Sequence, residues 1–434
     1  MADIRKIVYS SLLACAENGK YANIEADTAI ERNNLADRDK AFYTALFYGV
    51  TEKQITLDYQ VKKLSKTPIE KLQTKVLVLL RMGFYQILFM DSIPDHAAVN
   101  ETVALAKQTV NQGACGYING MLRSAIKELK NKGQINLFTP SKKKDICGYL
   151  SITYSYPRFL CKLWVNAYGI DIAEKIMQAQ NSRSVTTIRI NTLKTTRNAY
   201  LEKLIALEYK AKTSDMTNDG IHIEGNAPIT SLPDFENGFF FVQDDASRLC
   251  VEALSPQNGE TVLDACACPG GKTFSSAMLM KNTGKIVSCD LHENKLSLIT
   301  RGAKRLGIEI IEVRQADGSL FNPDFEGKFD KVLCDVPCSG FGTISKKPDL
   351  RLKTAESLNE LPEIQLSIVN NCAKYLKSGG TLVYSTCTLN PEENENNVKR
   401  FLGNNPDFSV ISETTHFPHE GVCDGFYYAK MIKN

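Results

Sequence analysis

The chain contains 434 residues, of which 43% are hydrophobic and 23% are charged, and its net charge is +3. This length and composition allow two or three globular domains with proper cores and exclude an intrinsically disordered chain. The small net charge excludes a protein that attracts nucleic acid with its whole surface. A nucleic-acid interface, if present, must therefore be a local basic patch.

Cysteine content and hydropathy bound the cellular setting. Thirteen cysteines are scattered without the framework of a small disulfide-rich domain, and no secretory signal precedes them. We therefore expect reduced thiols and a cytoplasmic protein. No C-x-x-C pair is present, so no metal is expected. The most apolar stretch, Val76 to Met90, contains Arg81 and Gly83 and is shorter than the roughly 20 residues of a membrane span, which predicts a buried helix and no membrane partner.

Helical periodicity dominates residues 1–138 and predicts an all-α domain. Two segments typical of a linker, Asn131-Lys132-Gly133 and Thr139-Pro140-Ser141, indicate its end. A candidate basic patch near this end consists of Arg123, Lys127, Lys130, Lys132 and Lys142-Lys143-Lys144. A solvated helix face followed by a linker explains the same charges, and the sequence does not decide between the two.

Residues 150–236 mix helical and strand patterns and predict a small α+β unit. Pro157 suits the first turn of a helix, and Asp171 is expected to cap a second helix that ends near Gln180. Alternation at period two predicts a strand from Thr186 to Asn191 and, more weakly, another around His222 to Glu224.

Strands and helices alternate more clearly in residues 237–434, which predicts an α/β Rossmann-like domain with a mainly parallel sheet. The predicted helices include Asn294 to Leu306 and Leu361 to Leu376. The predicted strands are Thr261 to Cys266, Lys285 to Asp290, Glu309 to Ala316, Phe329 to Val336, Gly380 to Thr386 and Gly425 to Ile432.

Two short cysteine segments follow strands of this predicted sheet. They are Asp335-Val336-Pro337-Cys338 and Ser385-Thr386-Cys387. Because parallel strands end at the same edge of a sheet, both thiols are expected at the edge where open α/β sheets bind ligands. A pair of thiols beside a carboxylate indicates covalent activation of a substrate.

A glycine-rich turn runs from Asp264 to Thr273 and predicts a ligand close to the backbone. Gly270 and Gly271 permit a close approach, and the following helix presents its free amides there. A P-loop would require glycine where Cys266 stands, and the G-x-G-x-x-G pattern of a dinucleotide site is absent. The turn therefore indicates a nucleotide-like ligand without a pyrophosphate.

Acidic residues follow four successive predicted strands, namely Asp264, Asp290, Asp317 and Asp335. Asp290 is expected to accept hydrogen bonds from ribose hydroxyls, and Asp317 is expected to reach an adenine ring. S-adenosylmethionine fits this pattern, because it contains ribose and adenine and its sulfonium charge is positive.

The motifs resemble those of the Sun/Fmu (RsmB) group of RNA cytosine-C5 methyltransferases. The residues that carry the resemblance are Cys266-Ala-Cys-Pro-Gly-Gly-Lys272, Asp335-Val-Pro-Cys-Ser-Gly340, Tyr384-Ser-Thr-Cys387 and Pro391-Glu-Glu-Asn394. Upstream, Arg38-Asp-Lys-Ala41, Leu80-Arg-Met-Gly-Phe-Tyr-Gln86 and Gly116-Tyr-Ile-Asn-Gly-Met-Leu-Arg123 resemble the NusB-like helical domain of that group. The resemblance extends over essentially the whole chain.

The resemblance implies three domains and one reaction. The domains are a NusB-like helical RNA- and protein-binding domain (1–138), a small RNA-binding extension that resembles an RRM (150–236) and a methyltransferase domain (237–434). The reaction is transfer of a methyl group from S-adenosylmethionine to C5 of a cytosine in 16S ribosomal RNA, usually cytosine 967 in that RNA's numbering. The expected cofactor-binding residues are Cys266, Ala267, Cys268, Pro269, Gly270, Gly271, Lys272, Asp290, Asp317 and Asp335.

The chemistry of cytosine requires one thiolate. C5 of cytosine is a poor nucleophile, and addition of a thiolate to C6 makes C5 able to take a methyl group. Asp335 is expected to hold the N3 edge in its protonated form. Spacing alone does not decide which cysteine attacks. The resemblance implies that Cys387 attacks and that Cys338 assists release of the methylated RNA.

Two departures from the family pattern and two alternative functions follow. Ser345-Lys346-Lys347 stands where the family usually has an arginine pair. The lysines retain the positive charge but lose the bidentate geometry of arginine. In addition, Cys268 occupies a position that is commonly alanine. The alternatives are a tRNA-directed enzyme with the same chemistry and a non-catalytic RNA-binding or ribosome-assembly factor. Intact Cys338, Cys387 and Asp335 argue against the second. The protein is expected to be monomeric.

Overall fold

The computed structural model describes residues 3–131, 134–182, 185–225 and 229–434. The chain divides into two compact units, one formed by residues 1–181 with Ile344–Thr354 and the other by Ser182–Thr343 with Ala355–Asn434. Lys132 of the candidate basic patch and the Lys132-Gly133 part of the predicted linker lie outside the described residues.

The first unit is mainly helical, as the sequence predicts for residues 1–138, and it also contains the helices of residues 146–181. Its elements are α1 (Ile4–Asn18), α2 (Ala22–Arg32), α3 (Asp37–Glu52), α4 (Gln54–Leu64), α5 (Thr74–Phe89), α6 (Asp95–Thr109), α7 (Gln112–Leu129), the two-residue strands β1 (Lys130–Asn131) and β2 (Gln134–Ile135), α8 (Ile146–Tyr154), α9 (Arg158–Tyr168) and α10 (Ile170–Asn181). Side chains of Asp3 and Asn111 cap the first turns of α1 and α7 by accepting backbone N–H bonds.

The apolar stretch from Val76 to Met90 forms α5 in the core of this unit, which confirms the predicted buried helix. Two local expectations differ from the structure. The antiparallel pair of β1 and β2 follows α7 where the sequence predicts only a linker. Helix α10 begins at Ile170, so Asp171 lies in its first turn rather than capping it.

The second unit contains a four-stranded antiparallel sheet with the order β4-β5-β3-β6. Its elements are β3 (Thr186–Ile190), α11 (Arg197–Ala206), β4 (Ala211–Thr213), β5 (Gly220–Ile223) and β6 (Phe240–Val242). Both strands predicted here are present. The sequence did not predict β4 and β6, because three-residue strands carry too little alternation to be recognised.

A seven-stranded sheet forms the rest of the second unit. Its elements are α12 (Asp245–Leu254), β7 (Thr261–Asp264), α13 (Gly271–Leu279), β8 (Lys285–Asp290), α14 (Glu293–Leu306), β9 (Ile311–Gln315), β10 (Phe329–Asp335), α15 (Leu361–Tyr375), β11 (Leu376–Thr386), α16 (Glu395–Asn404), β12 (Phe408–His416) and β13 (Phe426–Lys433). The order is β12-β13-β11-β10-β7-β8-β9, with β11 to β9 parallel and the last two strands of the chain antiparallel.

This topology places the ligand site. Strand β7 pairs with β8 on one side and with β10 on the other, so the strand order reverses at β7. In open α/β sheets, ligands bind at the carboxyl ends of the strands beside such a reversal. Apolar side chains cover both faces of the sheet in two clusters, one with Val332 and Cys334 and one with Leu333 and Val383. The polar groups are therefore concentrated at the strand ends.

Candidate active site

Acidic residues lie at the carboxyl ends of three neighbouring parallel strands. Asp264, Asp290 and Asp335 are the last residues of β7, β8 and β10. Asp317 follows the end of β9 by two residues instead of ending that strand, because β9 stops at Gln315. The sequence therefore placed all four acids at the correct edge of the sheet.

Asp335 is fixed at both of its carboxylate oxygens. The Lys272 ammonium, from the first turn of α13, lies 2.6 Å from Oδ2, and the Ser385 hydroxyl donates to Oδ1 at 2.9 Å. Burial lowers the pKa of Lys272, but the Asp335 carboxylate outweighs burial and holds that pKa above its usual value. The Lys272 ammonium also lies 5.1 Å from the centre of the Phe426 ring. Lys272 is thus directed at Asp335.

Asp264 is turned into the protein. Its carboxylate accepts a 2.7 Å hydrogen bond from the Thr273 hydroxyl, which is itself 3.1 Å from the hydroxyl of Ser288, and the residue is 2% exposed. Burial raises the pKa of Asp264 to about 7. This residue therefore attaches the first turns of α13 to the sheet and does not line the cleft.

Asp290 and Asp317 organise the loops that follow their strands. Asp290 accepts backbone N–H bonds from Cys268 at 3.2 Å and from His292 at 3.0 Å. Asp317 Oδ1 accepts from the backbone N–H of Ser319 at 2.9 Å and from its hydroxyl at 2.6 Å. Asp290 therefore joins the glycine-rich turn to the end of β8.

The glycine-rich turn has little room for side chains. Gly270 has φ +109°, and a Cβ on it would lie 2.5 Å from the Phe274 ring, so glycine is required there. Cys266 packs against one core cluster and Ala267 belongs to the other. These two side chains pack the turn against the hydrophobic core.

The remaining residues of the turn differ in exposure. Pro269 is exposed and Gly271 begins α13. Cys268 is half-buried, and burial raises the pKa of its thiol to about 12.

The two cysteines meet beside Asp335. Their sulfur atoms are 3.4 Å apart, and both residues are half-buried. The hydrogen bond with Cys387, together with burial, raises the pKa of Cys338 well above its usual value. Backbone bonds from Val336 to Ser385 and from Gly342 to Cys387 join the two segments. The pairing of β10 with β11 therefore creates the thiol pair from residues almost fifty positions apart.

Three further residues support this site and were not identified from the sequence. Ser385 bonds Asp335, and Phe426 lies against Lys272. Glu393 accepts a bond from the backbone N–H of Ser339, next to Cys338. The motif Pro391-Glu-Glu-Asn394 contains Glu393, but the sequence does not show which groups this buried glutamate contacts.

The donor set of the cleft fits S-adenosylmethionine. Asp290, Asp317 and Asp335 supply three carboxylates at this edge of the sheet, and the Lys272 ammonium is paired with Asp335. Such a set suits ribose hydroxyls and a cationic ligand and disfavours a pyrophosphate. The close-packed glycine at position 270 allows the ligand to approach the backbone.

The candidate basic patch is partly neutralised. Lys130 lies 2.7 Å from Asp95, and Lys142 lies 3.0 Å from Glu174. Lys346 and Lys347 are exposed and belong to the Ile344–Thr354 segment of the first unit. Within the described ranges, no three His, Cys, Asp or Glu side chains are arranged to hold a metal ion. In the same part of the chain, no helix has the length and apolarity to cross a membrane.

Family models match three parts of the chain. The model of the 16S rRNA methyltransferase RsmB/F matches residues 251–432, the NusB family model matches residues 2–127, and the ferredoxin-like domain model of RsmF/B-like methyltransferases matches residues 156–230. The helical unit, the four-stranded sheet and the seven-stranded sheet each lie at least partly within one of these matches.

Relatives match the chain along its whole length. The probable ribosomal RNA small subunit methyltransferase B of Bacillus subtilis strain 168 is 37% identical, over 99% of this chain and 98% of its own. The protein of the same name from Synechocystis is 34% identical, over 100% of both chains. The crystal structure of PH0851 has a TM-score of 0.81 at 26% identity and covers 99% of each chain.

Proposed function

Because this chain belongs to the RsmB/F family of 16S rRNA methyltransferases, we propose that it methylates C5 of one cytosine in small-subunit ribosomal RNA, and that this is cytosine 967 in the RNA's numbering. The observation that carries the proposal is the pair of thiols 3.4 Å apart beside Asp335. Cytosine-C5 chemistry needs a thiol that attacks C6 as its thiolate and a group that holds the base, and the thiol pair and Asp335 supply both in this proposal.

We propose S-adenosylmethionine as the methyl donor. When bound, it supplies an electrophilic methyl group on a sulfonium. Asp290 and Asp317 are the expected acceptors for its ribose and adenine, and the residues from Cys266 to Lys272 form the turn beneath it. Asp335, fixed by Lys272 and Ser385, is expected to face both the cofactor and the cytosine.

Asp335 has the main role toward the base. A target cytosine inside paired RNA must be extruded to reach the strand ends. The carboxylate then accepts a hydrogen bond from protonated N3, which makes C6 more electrophilic. Lys272 and Ser385 orient this carboxylate before the base arrives, so its geometry needs little reorganisation.

Cys387 attacks C6 and Cys338 assists release in this proposal. The sulfur of Cys387 adds to C6, and the C5–C6 electron pair would form the bond to the methyl group that the bound cofactor would supply, with the cofactor sulfur keeping the electron pair of the bond that breaks. Once Cys387 is a neutral thioether, the largest cause of the raised pKa of Cys338 is lost. Cys338 can then release its proton to solvent, and the resulting thiolate takes the C5 proton, the C5–H electron pair re-forms the C5–C6 double bond, and Cys387 leaves as a thiolate.

Alanine variants of the two cysteines test this assignment. Cys387→Ala is expected to abolish methylation and the covalent adduct with RNA that contains 5-fluorocytosine, whereas Cys338→Ala is expected to retain an adduct with ordinary cytosine RNA on a denaturing gel. Unchanged trapping by Cys387→Ala would refute its role as nucleophile. Normal turnover by Cys338→Ala would refute the release role.

Bisulfite sequencing of ribosomal RNA and tRNA from a strain that lacks the protein tests the substrate. Loss of one mark at cytosine 967 is expected. Loss of a tRNA mark instead would show that the enzyme acts on tRNA, and an unchanged pattern would favour a non-catalytic assembly factor. We further propose that the protein acts as a monomer in the cytoplasm, which rests on the family resemblance and on cysteines without a disulfide framework.

A further inference from the structure

We infer that Glu393 and Asn394 form a clamp that positions the loops of Cys338 and Cys387 against each other, and that Glu393 is a positioning residue for the release step. This inference rests on the proposed function, because release is defined by that reaction. These two side chains and their hydrogen bonds form the Glu393–Asn394 clamp.

Glu393 attaches the Cys338 loop. Its Oε2 accepts from the backbone N–H of Ser339 at 2.8 Å and from the Gln365 amide at 2.9 Å, and its Oε1 accepts from the Asn390 amide at 2.9 Å. The Gln365 amide also donates to the carbonyl of Pro337 at 2.9 Å. The residue before Cys338 is therefore bonded to Gln365, and the residue after it is bonded to Glu393.

Asn394 attaches the Cys387 loop in the same way. Its Oδ1 accepts from the Thr386 hydroxyl at 2.6 Å, and its Nδ2 donates to the carbonyl of Thr388 at 3.0 Å. The hydroxyls of Thr388 and Ser339 are 2.6 Å apart, which connects the two loops directly. Asn394 thus bonds the chain on both sides of Cys387, whereas Glu393 bonds the residue after Cys338 directly and the residue before it through Gln365.

Burial makes these contacts consequential. Glu393, Asn394 and Ser339 are all 0% exposed. The backbone N–H of Ser339 and the side-chain amides of Gln365 and Asn390 all donate to the Glu393 carboxylate, so both of its oxygens act as acceptors. A buried carboxylate is costly unless its oxygens are satisfied, so the site retains it for something that an apolar residue would not supply. A fixed separation of the two sulfur atoms is such a function.

The clamp acts through Cys338 and does not touch the reacting base in this inference. Proton removal from C5 requires the Cys338 sulfur to lie close to the adduct on Cys387. A displacement of about 1 Å costs on the order of 10²-fold in rate for a group that transfers a proton or attacks a substrate. A loosened Ser339 is therefore expected to slow release more than adduct formation.

Glu393→Gln is the test. Glutamine replaces one of the two acceptor oxygens of Glu393 with an NH2 group, which is a donor. In either orientation this NH2 group would face a donor, namely the Asn390 amide on one side or the Ser339 N–H and the Gln365 amide on the other. We expect kcat to fall on the order of tenfold to a hundredfold while KM for the RNA stays within about twofold. We also expect the adduct with ordinary cytosine RNA to accumulate as in Cys338→Ala, with unchanged binding of S-adenosylmethionine by calorimetry.

Glu392→Gln is the matched control, because Glu392 is the exposed neighbour and its carboxylate accepts from the Asn396 amide, away from both cysteine loops. It is expected to behave as the wild type in all these measurements. Normal release by Glu393→Gln overturns the inference. The inference is also overturned if the rates of adduct formation and of release both fall in the same proportion as the amount of folded protein.

A second variant covers the case in which Glu393→Gln does not fold. Asn390→Ala removes the donor to Oε1 together with the acceptor of the Glu392 backbone N–H, and leaves the bonds of Oε2 in place. The same accumulation of adduct is expected at smaller amplitude, and its absence in folded protein overturns the inference. If the wild type itself gives no adduct with 5-fluorocytosine RNA, the proposed function fails first and takes the clamp's role with it.

Discussion

The thiol of Cys338 responds to the state of its neighbour. Its hydrogen bond with Cys387 is the largest cause of its raised pKa, ahead of burial and of the charges on Glu393 and Asp335. A thiol with a raised pKa is protonated at neutral pH and can donate to the sulfur of Cys387. In the proposed reaction the same pair serves attack first and proton removal afterwards, because the second role becomes available only when Cys387 is bonded to the base.

Cys387→Ala is expected to lower the pKa of Cys338, since the substitution removes the largest raising cause. The rate at which iodoacetamide alkylates Cys338 should then rise at lower pH than in the wild type, as followed by peptide mass spectrometry between pH 6 and pH 10, roughly two units either side of the usual thiol value. Cys268 is the internal control, because burial is the main cause of its raised pKa. A Cys338 profile that is unchanged or shifted upward would contradict the coupling.

At the scale of elements, the turn between β7 and α13 determines where a ligand can approach. Its conformation depends on Gly270, which has φ +109° and lies against Phe274. Asp264 and Asp290 then attach the turn to two strands. The turn is thus held by its own backbone geometry and by acids that the sequence first associated with the ligand.

Gly270→Ala is expected to destabilise the protein by about 1–3 kcal/mol, because alanine is strained at this φ and its Cβ would meet the Phe274 ring. Gly271→Ala is the control, since a Cβ there has its nearest contact at 3.6 Å and the backbone is not left-handed. Denaturant unfolding of both variants checks this. Equal midpoints for the two variants would show that the turn tolerates a side chain.

At the scale of the whole molecule, a buried ionic network joins the small sheet to the methyltransferase part of the second unit. Arg189 on β3 donates to Asp245 on α12 at 2.6 Å, and His222 on β5 lies 2.5 Å from the other oxygen of Asp245. Burial raises the pKa of Asp245, but the bond with His222 and the charge of Arg189 outweigh it and hold the pKa well below its usual range. The sequence revealed only the alternation of β3, because these partners are up to 56 positions apart.

Arg189→Met is expected to lower the free energy of unfolding by about 3–5 kcal/mol, because it leaves the buried Asp245 charge without the positive charge of Arg189. Arg400→Met removes an exposed ion pair with Glu363 and is expected to cost about 1 kcal/mol or less. Denaturant unfolding monitored by circular dichroism compares the two. A loss for Arg189→Met no larger than for Arg400→Met would contradict a stabilising network.

The sequence by itself determined the fold class, the edge of the sheet that carries the acids and the two cysteine segments, and the family resemblance that the comparisons confirm. These properties depend on local periodicity and on short motifs. It missed β12, an exposed edge strand whose residues from Ser409 to Glu413 all face solvent, because such a strand shows no alternation of apolar and polar positions.

Only the tertiary structure decided which side chains meet. It brought Cys338 to Cys387, directed Lys272 at Asp335, turned Asp264 inward and placed Glu393 behind the Cys338 loop. These contacts arise from the pairing of β10 with β11 and from the reversal of strand order at β7. The physical reason is that hydrogen bonds and charge pairs act over a few ångströms, whereas their partners here are 9 to 63 positions apart in the chain.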